Sequence, residues 1–195
     1  MAFGDFATLL TDFTGADENP ISDGGKWASL DGTTNLQRIS NSLSGSAAAF
    51  RGSYWTVSDY GPDVEAYLTI STPSGLNVLL ARATSVGAAT YNGYAIYFSG
   101  TTTAIARYTN GSSTDLATSV GTITWASGDK MGLRCIGSVV QGFRLPSGGS
   151  WTQILSAPDA TYAAAGKIAI QCNNTTARLD DLYAGNVIPT MGFRH

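Results

Sequence analysis

GKIAIQCNNTTARLDDLYAG, residues Gly166–Gly185, decides how the rest of the chain is read. Ile168, Ile170 and Cys172 alternate with Ala169 and Gln171, the period of two that a strand imposes on its two faces. Asn173-Asn174-Thr175-Thr176 interrupts the pattern. Asn accepts left-handed backbone angles and bonds to nearby backbone groups, so these four residues read as a hairpin loop. Ala177–Tyr183 resumes as the second strand and carries Asp180-Asp181 inside an apolar run. Burying an unpaired charge is costly, so each carboxylate needs solvent or a partner. Alternation puts Leu179, Asp181 and Tyr183 on one face and Asp180 and Leu182 on the other. The two acids are therefore not expected to act together as a catalytic pair.

Outward from this stretch the same pattern recurs. Val64, Ala66, Leu68 and Ile70 alternate with Glu65, Tyr67 and Thr69 in DVEAYLTIS, the cleanest strand in the chain. LNVLLARA (76–83) reads as a strand buried on both faces. Asn92-Gly93, Gly100 and Asn110-Gly111 punctuate three further strands and predict an antiparallel meander. MGLRCIGSVVQGFRL (131–145) reads as one long strand bent at Gly137-Ser138. The apolar residues of Phe3–Phe13 suit either a helical turn or a first strand.

Composition points the same way. The 195 residues suit one domain, expected over 1–186 with a C-terminal tail at 187–195. Hydrophobic residues make up 43% and charged residues only 13%, about half the usual share. Only Glu18 and Glu65 are glutamates, whereas Val, Ile, Thr, Tyr and Trp are plentiful. The expectation is an all-β, two-sheet antiparallel sandwich. A formal net charge of −3 with scattered arginines argues against nucleic acid, which needs a basic stripe. No apolar run approaches the roughly 20 residues of a membrane-spanning helix. MAFGDFATLLTDF has no Lys or Arg and no long apolar core, which predicts synthesis in a cytoplasm without a secretory signal. Cys135 and Cys172 read as buried free thiols, with a strand-to-strand disulfide as the alternative.

Four pieces together resemble the concanavalin A-like lectin/glucanase superfamily, in particular its laminin-G-like jelly-roll domains. They are Asp12-Phe13-Thr14 followed by Trp27; DVEAYLTIS with LNVLLARA; NGYAIYFSG and TAIARYTNG leading to MGLRCIGSVVQGFRL; and the closing DATYAAAGKIAIQCNNTTARLDDLYAG. The resemblance implies a jelly roll over residues 10–186. Domains of this sort occur on bacteriophage particles. It therefore implies a non-enzymatic virion accessory protein, capsid-decorating or tail-associated, that packs on neighbouring subunits and contacts host-surface glycans. The expected location is the virion, or otherwise an extracellular one, and self-association is left open. The alternative function is a glycan-acting hydrolase or a free carbohydrate-binding lectin module.

The residues themselves favour binding over catalysis. The Glu-x-Asp-x-x-Glu strand of the superfamily's glucanases is missing, since Asp63-Val64-Glu65 lacks a third carboxylate. Glu65 reads as a solvated strand residue. The single histidine, His195, is terminal, which leaves no fixed general base. Sugars stack on aromatic faces while polar side chains bond their hydroxyls. Trp55, Tyr60, Tyr67 and Tyr97 are the candidate stacking residues, with Arg107 as a polar partner, and Tyr67 is the best outward-facing aromatic. Tyr94 and Trp125 read as core. A structural Ca²⁺ would use loop carboxylates, with Asp12 and Asp180 or Asp181 as candidates at the two ends of the domain.

Overall fold

The computed structural model describes residues 2–188. In chain order the strands begin with β1 (Thr8–Thr11), β2 (Trp27–Ser29), β3 (Leu36–Ile39), β4 (Ser42–Gly45) and β5 (Arg51–Trp55). They continue with β6 (Val64–Thr72), β7 (Leu76–Thr84), β8 (Asn92–Ser99), β9 (Thr102–Thr109) and β10 (Ser112–Thr118). The last are β11 (Asp129–Ile136), β12 (Val139–Leu145), β13 (Thr152–Pro158), β14 (Lys167–Cys172) and β15 (Arg178–Asn186). An eight-stranded sheet runs β13-β12-β11-β6-β15-β4-β3, with β1 also paired to β15. A seven-stranded sheet runs β10-β9-β8-β7-β14-β5-β2. Neighbouring strands are antiparallel in both.

The alternating residues meet between the sheets. Val64, Ala66, Leu68 and Ile70 of β6 are fully buried in one cluster with Leu79, Ile96, Ile105, Ile168 and Ile170 of the other sheet. Removing this apolar surface from water is the dominant stabilising term. Tyr94 and Trp125 belong to the same core. Every residue of β7 except its two ends is buried, as its continuous apolar run predicts. The meander is present as β8, β9 and β10. Asn110 and Gly111 take positive φ values of 51° and 75°, which matches the twist of a tight two-residue turn.

Two local expectations change. Gly166–Gly185 is not a hairpin, because β14 and β15 lie in different sheets. Asn173–Thr176 arches between them. Asn173 Oδ1 accepts the Leu76 amide at 2.8 Å, and Asn174 Oδ1 accepts the Ala177 amide at 2.8 Å. Ile168, Ile170 and Cys172 thus share one core with Leu179 and Leu182 across the sandwich. Alternation gives each strand an apolar face but cannot distinguish lateral pairing from facing across a core. Residues 131–145 are likewise a hairpin, β11 and β12, turning at Gly137-Ser138 rather than one bent strand.

The described chain continues past the expected boundary at 186. Val187 is buried and its amide donates to the Asp63 carbonyl at 2.9 Å. The rest of the expected tail, with His195, lies outside the described residues. Cys135 and Cys172 are buried free thiols, one in each sheet. Burial pushes both up to about 12, so neither is a reactive thiolate.

Candidate functional site

The outer face of the eight-stranded sheet carries an aromatic platform. Tyr67 of β6 and Tyr183 of β15 are cross-strand partners. Their rings stack with centroids 4.5 Å apart and planes 15° from parallel. Trp151, one residue before β13, meets Tyr67 edge-on at 5.2 Å. Phe3 and Phe143 extend the cluster beneath the N-terminal segment, stacked at 4.1 Å. The Lys130 ammonium of β11 lies 5.5 Å from the Tyr67 centroid and 5.4 Å from that of Tyr183, within cation–π range. Lys130 makes no ion pair among the described residues. Tyr67, Tyr183, Trp151 and Lys130 all remain partly exposed.

Burial, followed by the charges of Tyr183, Glu65 and Asp181, pushes the Tyr67 phenol up to about 12. It stays protonated at any physiological pH and is available as a hydrogen-bond donor. The platform therefore offers ring surface, phenol groups and an ammonium on one face.

A buried ion pair fixes one border of the platform. Glu65 is fully buried and not solvated, contrary to its reading from sequence. Its Oε2 accepts Arg134 Nη2 at 2.6 Å. Its Oε1 accepts the amides of Phe6 at 2.7 Å and Ala7 at 3.1 Å. Arg134 Nη2 also donates to the Ala2 carbonyl, and its guanidinium lies 5.1 Å from the Phe3 ring. The pair straps residues 2–7 across the sheet and seats Phe3 against Trp151 at 4.6 Å. A strand pattern cannot reveal this, because an outward position looks solvated until a distant segment covers it.

The carboxylates border the other side. Asp181 has φ 46°, and the β15–β6 register shifts between Asp180 and Tyr183. This bulge adds a residue between Asp180, which pairs with Thr69, and the buried Leu182. Both carboxylates consequently lie on the outer side, contrary to strict alternation. Asp181 Oδ2 accepts the Thr69 hydroxyl at 3.2 Å, and Asp180 Oδ1 accepts the Asp181 amide at 2.9 Å. Burial, then the charges of Asp181 and Asp12, raises Asp180 to about 6.

That shift has a pH consequence. Between an unfolded value near 4 and a folded value near 6 the native state binds the extra proton, so stability falls as pH rises through this window. Asp180→Asn keeps the oxygen that accepts the Asp181 amide and removes the charge. It is expected to melt higher than the parent protein at pH 7.5 and at the same temperature at pH 4. Equal differences at both pH values would contradict the assignment.

The candidate calcium ligands hydrogen-bond within their own neighbourhoods. Asp12 uses Oδ1 on the Thr14 amide, and Asp180 and Asp181 are committed as described. Among the described residues no three His, Cys, Asp or Glu side chains come together as a cation site.

The other sequence candidates lie elsewhere. Trp55 is 5% exposed and packs edge-on against Trp27 in the core at 5.5 Å, away from any surface. Tyr60 packs half-buried against the same core. Tyr97 is on the outer face of the seven-stranded sheet, where its phenol donates to Asp115 at 2.9 Å. Arg107 binds Asp159 at 2.7 Å and Thr161 at 3.0 Å. Asp159 also accepts the Tyr94 phenol at 2.7 Å, so Arg107 belongs to a structural network. These four do not converge with Tyr67. Tyr183, Trp151 and Lys130 were missed. Tyr183 shares the alternation that marks Asp181, but its place beside Tyr67 depends on β15 pairing with β6.

No protein-family model matches the sequence, and no curated protein does. Solved structures match over almost the whole chain. The carbohydrate-binding module CBM66 from Bacillus subtilis has a TM-score of 0.66 at 13% identity, over 82% of this chain and 95% of that one. The exoplasmic/lumenal domain of VIP36, bound to Ca²⁺ and Man3GlcNAc, has a TM-score of 0.63 at 7% identity, over 95% and 90%. The fold is the lectin-type jelly roll. A galectin-like protein of unknown function from Bacillus subtilis agrees, with a TM-score of 0.62 at 16% identity, over 91% and 98%. The jelly roll also overlays a GH43 protein from Bacillus licheniformis, BlXynB, at a TM-score of 0.57, but over only 39% of that chain.

Proposed function

We propose that this jelly roll is a non-enzymatic carbohydrate-binding module that engages glycans at the Tyr67–Tyr183–Trp151 platform. The observation that carries the reading is the platform itself. Partly exposed ring surface lies beside a phenol held protonated, an ammonium without an ion partner among the described residues, and the Asp181 carboxylate. Sugars present an apolar ring face edged by hydroxyls, and these groups complement both. Fold neighbours that are carbohydrate-binding modules and glycan-bound lectin domains support the reading. The one glutamate on this face is buried, ion-paired and fully hydrogen-bonded, which removes it as an acid or base. The virion-accessory role gains no support from the fold neighbours, so its alternative, glycan binding, takes first place. A virion setting is tested by copurification with particles in fixed stoichiometry.

A glycan array followed by calorimetry tests the binding. Tyr67→Ala and Trp151→Ala are each expected to weaken the best ligand about tenfold or more, the scale of one lost stacking contact with its buried area. Tyr97→Ala, on the opposite sheet, is expected to leave affinity unchanged. Folded protein that binds nothing across a broad panel, or that loses binding with Tyr97→Ala and not with Tyr67→Ala, overturns the assignment.

A further inference from the structure

A second site, chemically unlike the platform, lies at the other margin of the molecule. A cavity of about 350 Å³ is lined by Asn19, Pro20, Thr33, Thr34, Asn35, Ser46 and Arg51. Its walls are held from behind. Asp31 Oδ1 accepts the Thr33 amide at 2.9 Å and the Thr34 amide at 2.7 Å, and its Oδ2 accepts the Thr34 hydroxyl at 2.6 Å. The Ser46 hydroxyl donates to the Asn35 carbonyl at 2.7 Å. The backbone of Glu18, next to Asn19, pairs with Arg38 in both directions at 2.9 Å. These bonds arrange the loops before any ligand arrives, which lowers the ordering cost of binding.

Several polar side chains of the lining residues are unused. The side-chain amides of Asn19 and Asn35 and the Thr33 hydroxyl make no hydrogen bond to another described residue. Arg51 donates one bond, from Nη1 to the adjacent Phe50 carbonyl at 3.1 Å, and makes no ion pair among the described residues. No acid lines the cavity; Glu18, next to Asn19, turns Oε2 to the Asp23 amide and Arg38, and Asp31 has both oxygens turned into its own loop. No aromatic ring lines it either, so its occupant is not held by stacking.

We infer that this cavity binds a single carboxylate-bearing sugar unit, of the uronate type. The guanidinium fork matches a carboxylate in two parallel bonds. The amides and hydroxyls around it suit ring hydroxyls, which both donate and accept. The lining residues carry more hydrogen-bonding groups than a lone anion requires. The inference does not depend on the aromatic platform.

Titration of the ¹⁵N-labelled protein with glucuronate, glucose and acetate tests it. Glucuronate is expected to shift the amides of residues 33–35 and 51 saturably, with glucose and acetate at least tenfold weaker. Arg51→Gln and Asn35→Ala are each expected to lower glucuronate affinity at least fivefold, and Tyr67→Ala to leave it unchanged. Melting temperatures confirm that the variants fold. Acetate binding as well as glucuronate, shifts confined to the Tyr67 face, or unaltered binding by folded Arg51→Gln overturns the proposal. Loss of platform binding with this site intact overturns only the platform reading.

Discussion

Glu65→Ala is expected to lower the unfolding free energy by about 3–5 kcal/mol, the cost of leaving one member of a buried ion pair alone. The magnitude follows from what remains. The Arg134 side chain is only 8% exposed and keeps its charge with no other carboxylate paired to it among the described residues. The Phe6 and Ala7 amides lose their acceptor. Phe3, stacked on Phe143 and edge-on to Trp151, loses the strap that seats it. For a chain of this size the loss corresponds to a fall in melting temperature of about 6–20 °C. Urea unfolding measures it directly, and a loss below about 1 kcal/mol would refute the account. The double variant Glu65→Leu/Arg134→Met separates pair from strap. Removing both charges avoids the uncompensated guanidinium, so it is expected to recover much of the stability. It is not expected to restore the Phe6 and Ala7 hydrogen bonds, so protection of those amides from exchange stays low. Because Phe3 abuts Trp151, the same variants are expected to weaken ligands at the platform.

The sandwich was legible from sequence because its main signal is local. Each of Val64, Ala66, Leu68 and Ile70 lies where a period of two puts it, and Asn110-Gly111 turns the chain as its side chains require. Facts that depend on two distant segments meeting were not legible. The apolar faces of β14 and β15 are equally visible in sequence whether the strands pair side by side or face each other across the core. Glu65 carries no local sign of Arg134, nor of the N-terminal segment that covers it. The bulge at Asp181 defeated alternation by one residue, enough to bring two carboxylates to the same side. The candidate site shows the same division. Tyr67 was found because its own strand shows its outward position. Tyr183, Trp151 and Lys130 come from three other strands or their ends and join it only through the sheet order. Trp55 was misplaced because a segment with four aromatics does not show which of them the core takes, and the core takes this one.

Arg82→Met is expected to cost about as much as Glu65→Ala, through polar groups that hold connections rather than a surface strap. Arg82 is 1% exposed and sits at φ 50° where the β7 register shifts, a bulge that turns the guanidinium away from the ladder. Its Nε donates to the Pro62 carbonyl at 2.6 Å, and its Nη1 to the carbonyls of Gly137 and Tyr162, each at 3.0 Å. Nη2 faces Asp63 Oδ1 at 3.6 Å. Asp63 in turn accepts the Gly137 amide at 2.8 Å. One side chain thereby ties the segment before β6, the β11–β12 turn and the connection before β14. Methionine fills similar space but donates nothing, so three carbonyls lose a donor at about 1–3 kcal/mol for each that stays dry. Rehydration of the turn at Gly137, which is exposed, recovers part of this. The net expectation is about 3–5 kcal/mol, read by urea unfolding. Arg82→Lys is expected to fall between the two, because an ammonium keeps the charge near Asp63 but cannot reach three separated carbonyls from one planar fork. Hydrogen exchange distinguishes this clamp from ordinary core packing. Loss of the clamp should speed exchange at the Gly137 amide while the central amides of β6 and β11 change only by the global loss. Uniform acceleration of both sets, or an Arg82→Met loss below about 1 kcal/mol, would show that the connections are held by packing alone.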